Sequence, residues 1–167
     1  MKTKDILIGL FALLLVGFFG YVWLSPEGMK QAPPVSVRTI DGEEIELASL
    51  RGKPLLVTFW ATSCTGCVKE MPHLIELYQE FAPQGFELIA VAMSYDPPNH
   101  VLAMREARQI PYQIALDVDG SVAQAFGEVR LTPTSFLIAP NGQIVRHKIG
   151  ELEMADVRNQ IRAMLGA

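Results

Sequence analysis

Cysteine is almost missing from this chain: two among 167 residues, Cys64 and Cys67. A scaffold held by several disulfides is therefore excluded, since such frameworks need four or more cysteines. Charge is sparse too, at 19%, and there is no basic excess, the formal net charge being −4. Nucleic acid is a poor partner for such a surface, because phosphate binding draws on clustered Lys and Arg. His73, His100 and His147 are scattered, and no second Cys-x-x-Cys or paired-histidine pattern completes a tetrahedral zinc shell. Neither a repeat nor a low-complexity tract is present. Apolar residues, by contrast, make up 50%, which excludes disorder.

That apolar excess is concentrated near the start. Ile6 to Leu24 is a run of nineteen residues without a charge, long enough as a helix to span roughly 28 Å, close to a bilayer's hydrocarbon thickness. Lys2 and Lys4 precede it, and Tyr21 and Trp23 sit near its end, where an aromatic belt belongs. The positive-inside rule then makes residues 1–5 a cytoplasmic N-terminus, 6–24 a single transmembrane anchor and the remainder external. A cleaved signal peptide fits less well, because its apolar core usually runs to about 7–15 residues and ends in small residues. Here Ser25-Pro26-Glu27-Gly28 follows. Residues 25–35 carry three prolines and read as an extended linker.

Residues 36–167 form one domain. Val35–Ile40 and Glu44–Leu47 flank Asp41-Gly42, a hairpin signal. Leu55–Trp60 and Phe86–Met93 are apolar almost throughout, as strands covered on both faces would be. Between them Val68, Met71, Ile75, Tyr78 and Phe81 recur at helical spacing, and Pro72 should kink that helix. Val101–Gln109 reads as a second helix, Tyr112–Leu116 as a short strand, and Ser121 as the N-cap of a short helix closed by Gly127. Thr134–Ala139 and Gln143–Lys148 flank Pro140-Asn141-Gly142, a second hairpin, before a helix striped with Met154, Val157, Ile161 and Met164. Strands alternating with helices, with hairpins at both ends, predict an α/β fold with a mixed sheet.

Cys64 and Cys67 fall at a strand-to-helix junction. The free N–H groups and positive dipole end of a helix N-terminus stabilise a thiolate, so Cys64 is placed to be the nucleophile. Cys67, one turn further in, can attack a mixed disulfide on Cys64. A purely structural bridge has little use here, because closing so short a loop gives only about 2 kcal/mol. Copper(I) needs only two soft ligands, so a copper-delivery module is the rival from another class. The seven methionines form no copper-binding tract; Met93, Met104, Met154 and Met164 fit apolar stripes.

The segment FWATSCTGCVKEMP resembles the active site of the membrane-anchored, thioredoxin-like TlpA/ResA/CcmG proteins, including Trp60 ahead of the pair and the run Cys67-Val68-Lys69-Glu70-Met71-Pro72. Leu131–Ile138, followed by Asn141-Gly142, is similar to that family's cis-proline segment and last hairpin. The resemblance spans about residues 36–167. It implies a thioredoxin-like fold, a cis-proline at Pro133 facing the cysteines, a Thr132 backbone that pairs with substrate, and Trp60 as a wall beside Cys64. It also implies an exported protein-disulfide reductant with no organic cofactor. Its targets would be apocytochrome c cysteines or a copper-site assembly protein, and a membrane thiol donor would re-reduce it. Two departures stand out. Thr58 occupies the place of thioredoxin's buried Asp, and Ser94-Tyr95-Asp96-Pro97 stands where ResA-like proteins carry a Glu. Asp96 is thus the candidate acid/base for Cys67, while Glu70 reads as a first-turn carboxylate favoured by the helix dipole. The peroxidase pattern P-x-x-x-T-x-x-C is not met, since Val57 and Ala61 occupy its first two positions.

Overall fold

The computed structural model describes residues 31–166. The cytoplasmic N-terminus and anchor expected at 1–5 and 6–24 lie outside the described residues. Among those described, no helix is long and apolar enough to cross a membrane.

The chain opens with two short strands, β1 (Ser36–Arg38) and β2 (Glu44–Glu46), paired antiparallel. Next come β3 (Leu55–Trp60), α1 (Thr65–Phe81), β4 (Glu87–Ala92), α2 (Pro98–Arg108) and β5 (Gln113–Leu116). A short helix α3 (Ser121–Ala125), strands β6 (Thr134–Ile138) and β7 (Ile144–Ile149), and α4 (Met154–Leu165) complete the domain. The sheet order is β5-β4-β3-β6-β7. β4 runs parallel to β3 and β5, whereas β6 runs antiparallel to β3 and β7, so the sheet is mixed. β3 lies at its centre.

Side chains alternate across a strand, so β3 feeds two cores. Leu56 and Trp60 point with Met71, Leu77 and Phe81 of α1 and Val157 and Ile161 of α4 into one. Leu55, Val57 and Phe59 join Val37, Phe126 and Phe136 in the other. There Phe59 meets Phe126 and Phe136 edge-on, at ring centroid separations of 5.4 and 6.0 Å. All six residues of β3 are buried. That is why the strand carries no alternation of polar with apolar residues.

α1 continues as helix through Pro72. Two local expectations are corrected. Ser121 begins α3 but does not cap it. Buried Asp117 does so, accepting from the backbone N–H of Val122 at 3.0 Å and of Ala123 at 2.8 Å. The last part of the expected linker is bound to the domain: Gln31 bridges Gln143, and Ala32 N–H donates to the Gly142 carbonyl at 2.9 Å.

Candidate active site

β3 ends at Trp60, and four residues later Cys64 stands as the N-cap of α1. Its sulfur accepts the Cys67 N–H at 3.1 Å, taking one of the donors that a helix leaves free in its first turn. The two sulfurs are bonded to each other. Cys64 is half-buried and Cys67 is 4% exposed, because one turn of helix carries it under the domain surface. Only the first cysteine is open to a large partner.

Pro133 closes the other side. The Thr132–Pro133 bond is cis, and Pro133 packs against the intervening dipeptide: a Cβ at residue 66 would stand 3.5 Å from Pro133 Cδ. The Pro133 carbonyl accepts from Gly150 N–H at 2.8 Å. Thr132 precedes β6 and shares no backbone hydrogen bond with the described residues. Leu131, 62% exposed, and Tyr95, 58% exposed, lie in the same region, with the Tyr95 hydroxyl 3.5 Å from Thr132 Oγ1.

The carboxylates are arranged differently from the expectation. Asp96 is buried, but its oxygens are taken by Thr62, accepting the backbone N–H and the hydroxyl at 2.6 Å each. It pins the loop ahead of Cys64 to the loop after β4, and it does not line the small cavity behind Cys67. Glu70 does. Three residues on from Cys67, it lies on the same face of α1. It is 3% exposed, and it accepts the Leu152 N–H at 2.5 Å. α1 has no acidic residue in its first turn, so a first-turn carboxylate favoured by the helix dipole is the wrong description of Glu70, which lies further along and is buried. Burial raises its pKa, and the charge of Glu151 adds to this; the Leu152 N–H and His73 act in the opposite direction.

Thr58, in the position of thioredoxin's acid, pairs its hydroxyl with that of Ser135 at 2.9 Å. Tyr112 also lines the cavity, with its hydroxyl pKa raised by burial and by Glu70. No sequence signal marked Tyr112. The Cys-x-x-Glu spacing could have marked Glu70. Lys69 pairs with Glu151 at 3.0 Å, and both are exposed, so its charge is screened from the sulfurs. His73 is exposed. Among the described residues no cluster of three or more His, Cys, Asp or Glu is arranged to hold a metal ion.

Comparison with known proteins matches residues 29–147 to the AhpC/TSA family model. The thiol-disulfide oxidoreductase ResA of Bacillus thuringiensis subsp. konkukian is 32% identical over 163 residues, covering 90% of this chain and 91% of that protein. A thiol:disulfide interchange protein of the thioredoxin family from Chlorobium tepidum superposes with a TM-score of 0.75, at 27% identity, over 85% of this chain and 100% of that one. StoA from Bacillus subtilis superposes at 0.66, with 26% identity, over 77% and 97% of the two chains. Similarity that extends over nine tenths of both sequences makes this chain a ResA-like thiol–disulfide oxidoreductase of the AhpC/TSA family.

Proposed function

We propose that the protein is a membrane-anchored periplasmic reductant of protein disulfides. The Cys64 thiolate attacks one sulfur of a target disulfide, forming a mixed disulfide and expelling the target's other sulfur as a thiolate. Cys67, deprotonated by Glu70, then attacks Cys64. The Cys64–Cys67 bond forms, the target leaves with two reduced sulfurs, and the protein pair is oxidised. The contrast in exposure between the half-buried helix-capping Cys64 and the covered Cys67 carries this reading. Pro133, Thr132 and Trp60 frame the approach, and an extended target segment would take up the free backbone groups of Thr132 as a short strand. Apocytochrome c cysteines or a copper-site assembly protein are the target classes, and a membrane thiol donor restores the dithiol.

The direction of electron flow follows from what lies between the cysteines. Thr65 and Gly66 bear no positive charge, whereas strong oxidants of this fold stabilise the reduced thiolate heavily. The helix dipole acts largely alone, so the disulfide is comparatively favoured. Equilibration with dithiothreitol or glutathione buffers should give a potential of about −200 to −270 mV, and a value above roughly −150 mV would make the protein an oxidant instead.

Topology is tested separately. With Lys2 and Lys4 before the apolar span, the positive-inside rule places the redox domain outside the cytoplasm. A reporter active only in the periplasm, fused after Ala167, should be active. A well-expressed but inactive fusion would remove the anchor orientation from this reading.

A further inference from the structure

Residues 150–152, in the loop after β7, meet the dithiol turn and its flanks at three successive points. Gly150 N–H donates to the Pro133 carbonyl at 2.8 Å, and Leu152 N–H donates to the buried Glu70 carboxylate. Between them the Glu151 side chain lies against the turn itself: a Cβ at residue 66 would stand 3.8 Å from Glu151 Oε1 and 3.9 Å from its Cγ. Both Glu151 oxygens also accept from Lys69 Nζ, at 3.2 and 3.0 Å. Lys69 is the one lysine or arginine of α1 and follows Cys67 by two residues. An exposed ion pair of this kind contributes little to stability. Its place is what matters. The hydrogen bonds of Gly150 and Leu152 hold the Glu151 backbone beside Gly66, so the pair brings a negative charge to the start of α1, where the Cys64 thiolate forms.

We propose that Glu151 strengthens the pair as a reductant: its carboxylate opposes the negative charge that reduction leaves on Cys64, and it neutralises Lys69. The inference rests on the reading of Cys64 as the thiolate of a reducing pair. Reduction breaks the Cys64–Cys67 bond. Two electrons come from a dithiol, which becomes a disulfide and gives up two protons. One proton goes to Cys67, the other to solvent, and Cys64 is left as a thiolate. The oxidised pair carries no charge on either sulfur, so a neighbouring carboxylate acts on the reduced form alone. Like charges repel, so the carboxylate raises the free energy of that form and moves the equilibrium toward the disulfide. An unmatched Lys69 would do the reverse.

The other charged groups on the elements that meet at the dithiol are engaged elsewhere. On α1, Glu70 is held by the Leu152 N–H and His73 lies 3.9 Å from Glu76. In the loop after β4, both Asp96 oxygens are taken by Thr62, and the Tyr95 hydroxyl faces Thr132. In the segment before β6, Arg130 is paired with Glu128.

The test equilibrates the full-length chain with dithiothreitol buffers at pH 8 and follows iodoacetamide alkylation of the reduced protein across pH. Glu151→Gln keeps the side-chain length and an oxygen for Lys69, and removes the charge. It should move the equilibrium about threefold toward the protein dithiol, which is about 14 mV at about 30 mV per tenfold. It should also lower the Cys64 pKa by about half a unit, the order expected for one exposed charge acting through water. Lys69→Gln leaves the carboxylate unmatched and should shift both quantities the opposite way. The double variant should return close to wild type, and all the shifts should shrink in 1 M salt. Shifts of the same sign in the two single variants, no shift in Glu151→Gln, or shifts that high salt leaves intact would overturn the inference and leave the reductant reading standing. A wild-type equilibrium as oxidising as that of the strong oxidants of this fold, or faster alkylation of Cys67 than of Cys64, would overturn that reading instead.

Discussion

Cys64→Ser should abolish disulfide reduction, and Cys67→Ser should instead trap the target. A serine hydroxyl is not ionised near neutral pH and has no dipole-stabilised thiolate form, so losing the Cys64 sulfur should cut turnover by roughly 10⁴-fold or more. Cys67→Ser leaves that attack intact. The mixed disulfide then persists, because a buried hydroxyl cannot displace the target sulfur, and mass spectrometry of the adduct would identify the partner. The same asymmetry should appear in the reduced wild type as preferential alkylation of Cys64 by a brief iodoacetamide pulse. Cys64 is half-buried at the helix start, and Cys67 is covered. Faster labelling of Cys67, or an adduct formed by Cys64→Ser and not by Cys67→Ser, would reverse the assignment of attacking and resolving sulfurs.

Glu70→Gln should lower activity while making the folded protein more stable at neutral pH. Loss of the base should slow the resolving step by about 10²-fold, the lower end for a positioned proton acceptor. The stability effect follows from burial, which raises the Glu70 pKa in the folded protein. The folded state therefore holds more protons than the unfolded chain between the unfolded value, about 4.3, and the higher folded one. Stability then falls as pH rises through that window and stays lower above it. A Gln at this position keeps an oxygen for the Leu152 N–H and carries no charge to desolvate. At pH 8 the variant should be more stable by about 1–2 kcal/mol, and near pH 4 the difference should largely vanish. Urea unfolding at the two pH values measures it. A variant less stable at both would show that Glu70 serves the fold rather than the thiols.

The opposed effects at Glu70 mark where local reading stops. Its spacing from Cys67 is visible in the sequence, but its burial depends on Leu152, 82 positions away, whose N–H holds the carboxylate. A carboxylate near the start of a helix reads as one favoured by the dipole unless one knows which loop covers it. The surroundings of Asp96 are set in the same way: Thr62, 34 positions earlier, takes both its oxygens. The capping of α3 is a smaller case. Ser121 has the right chemistry and is the first residue of the helix, yet Asp117 reaches the free N–H groups. Tyr112 belongs to no site motif in the sequence, and it joins the site only because β3, α1 and the segment before β5 meet around one cavity.

What the chain determined by itself was whatever depends on neighbours a few residues apart. The strand Leu55–Trp60 is apolar at nearly every position, the helix from Thr65 repeats its apolar residues every turn, and the cysteines fall between them. Those short-range patterns were enough to predict an α/β fold with a mixed sheet and a dithiol at a helix N-terminus. Only the tertiary structure decided which carboxylate lies behind Cys67 and how Pro133 meets the Cys64–Cys67 turn from nearly seventy positions away. The physical reason is that desolvation and proton affinity are set by the atoms that exclude water from a group, and in this fold those atoms come from β6, the Leu152 loop and the segment before β5.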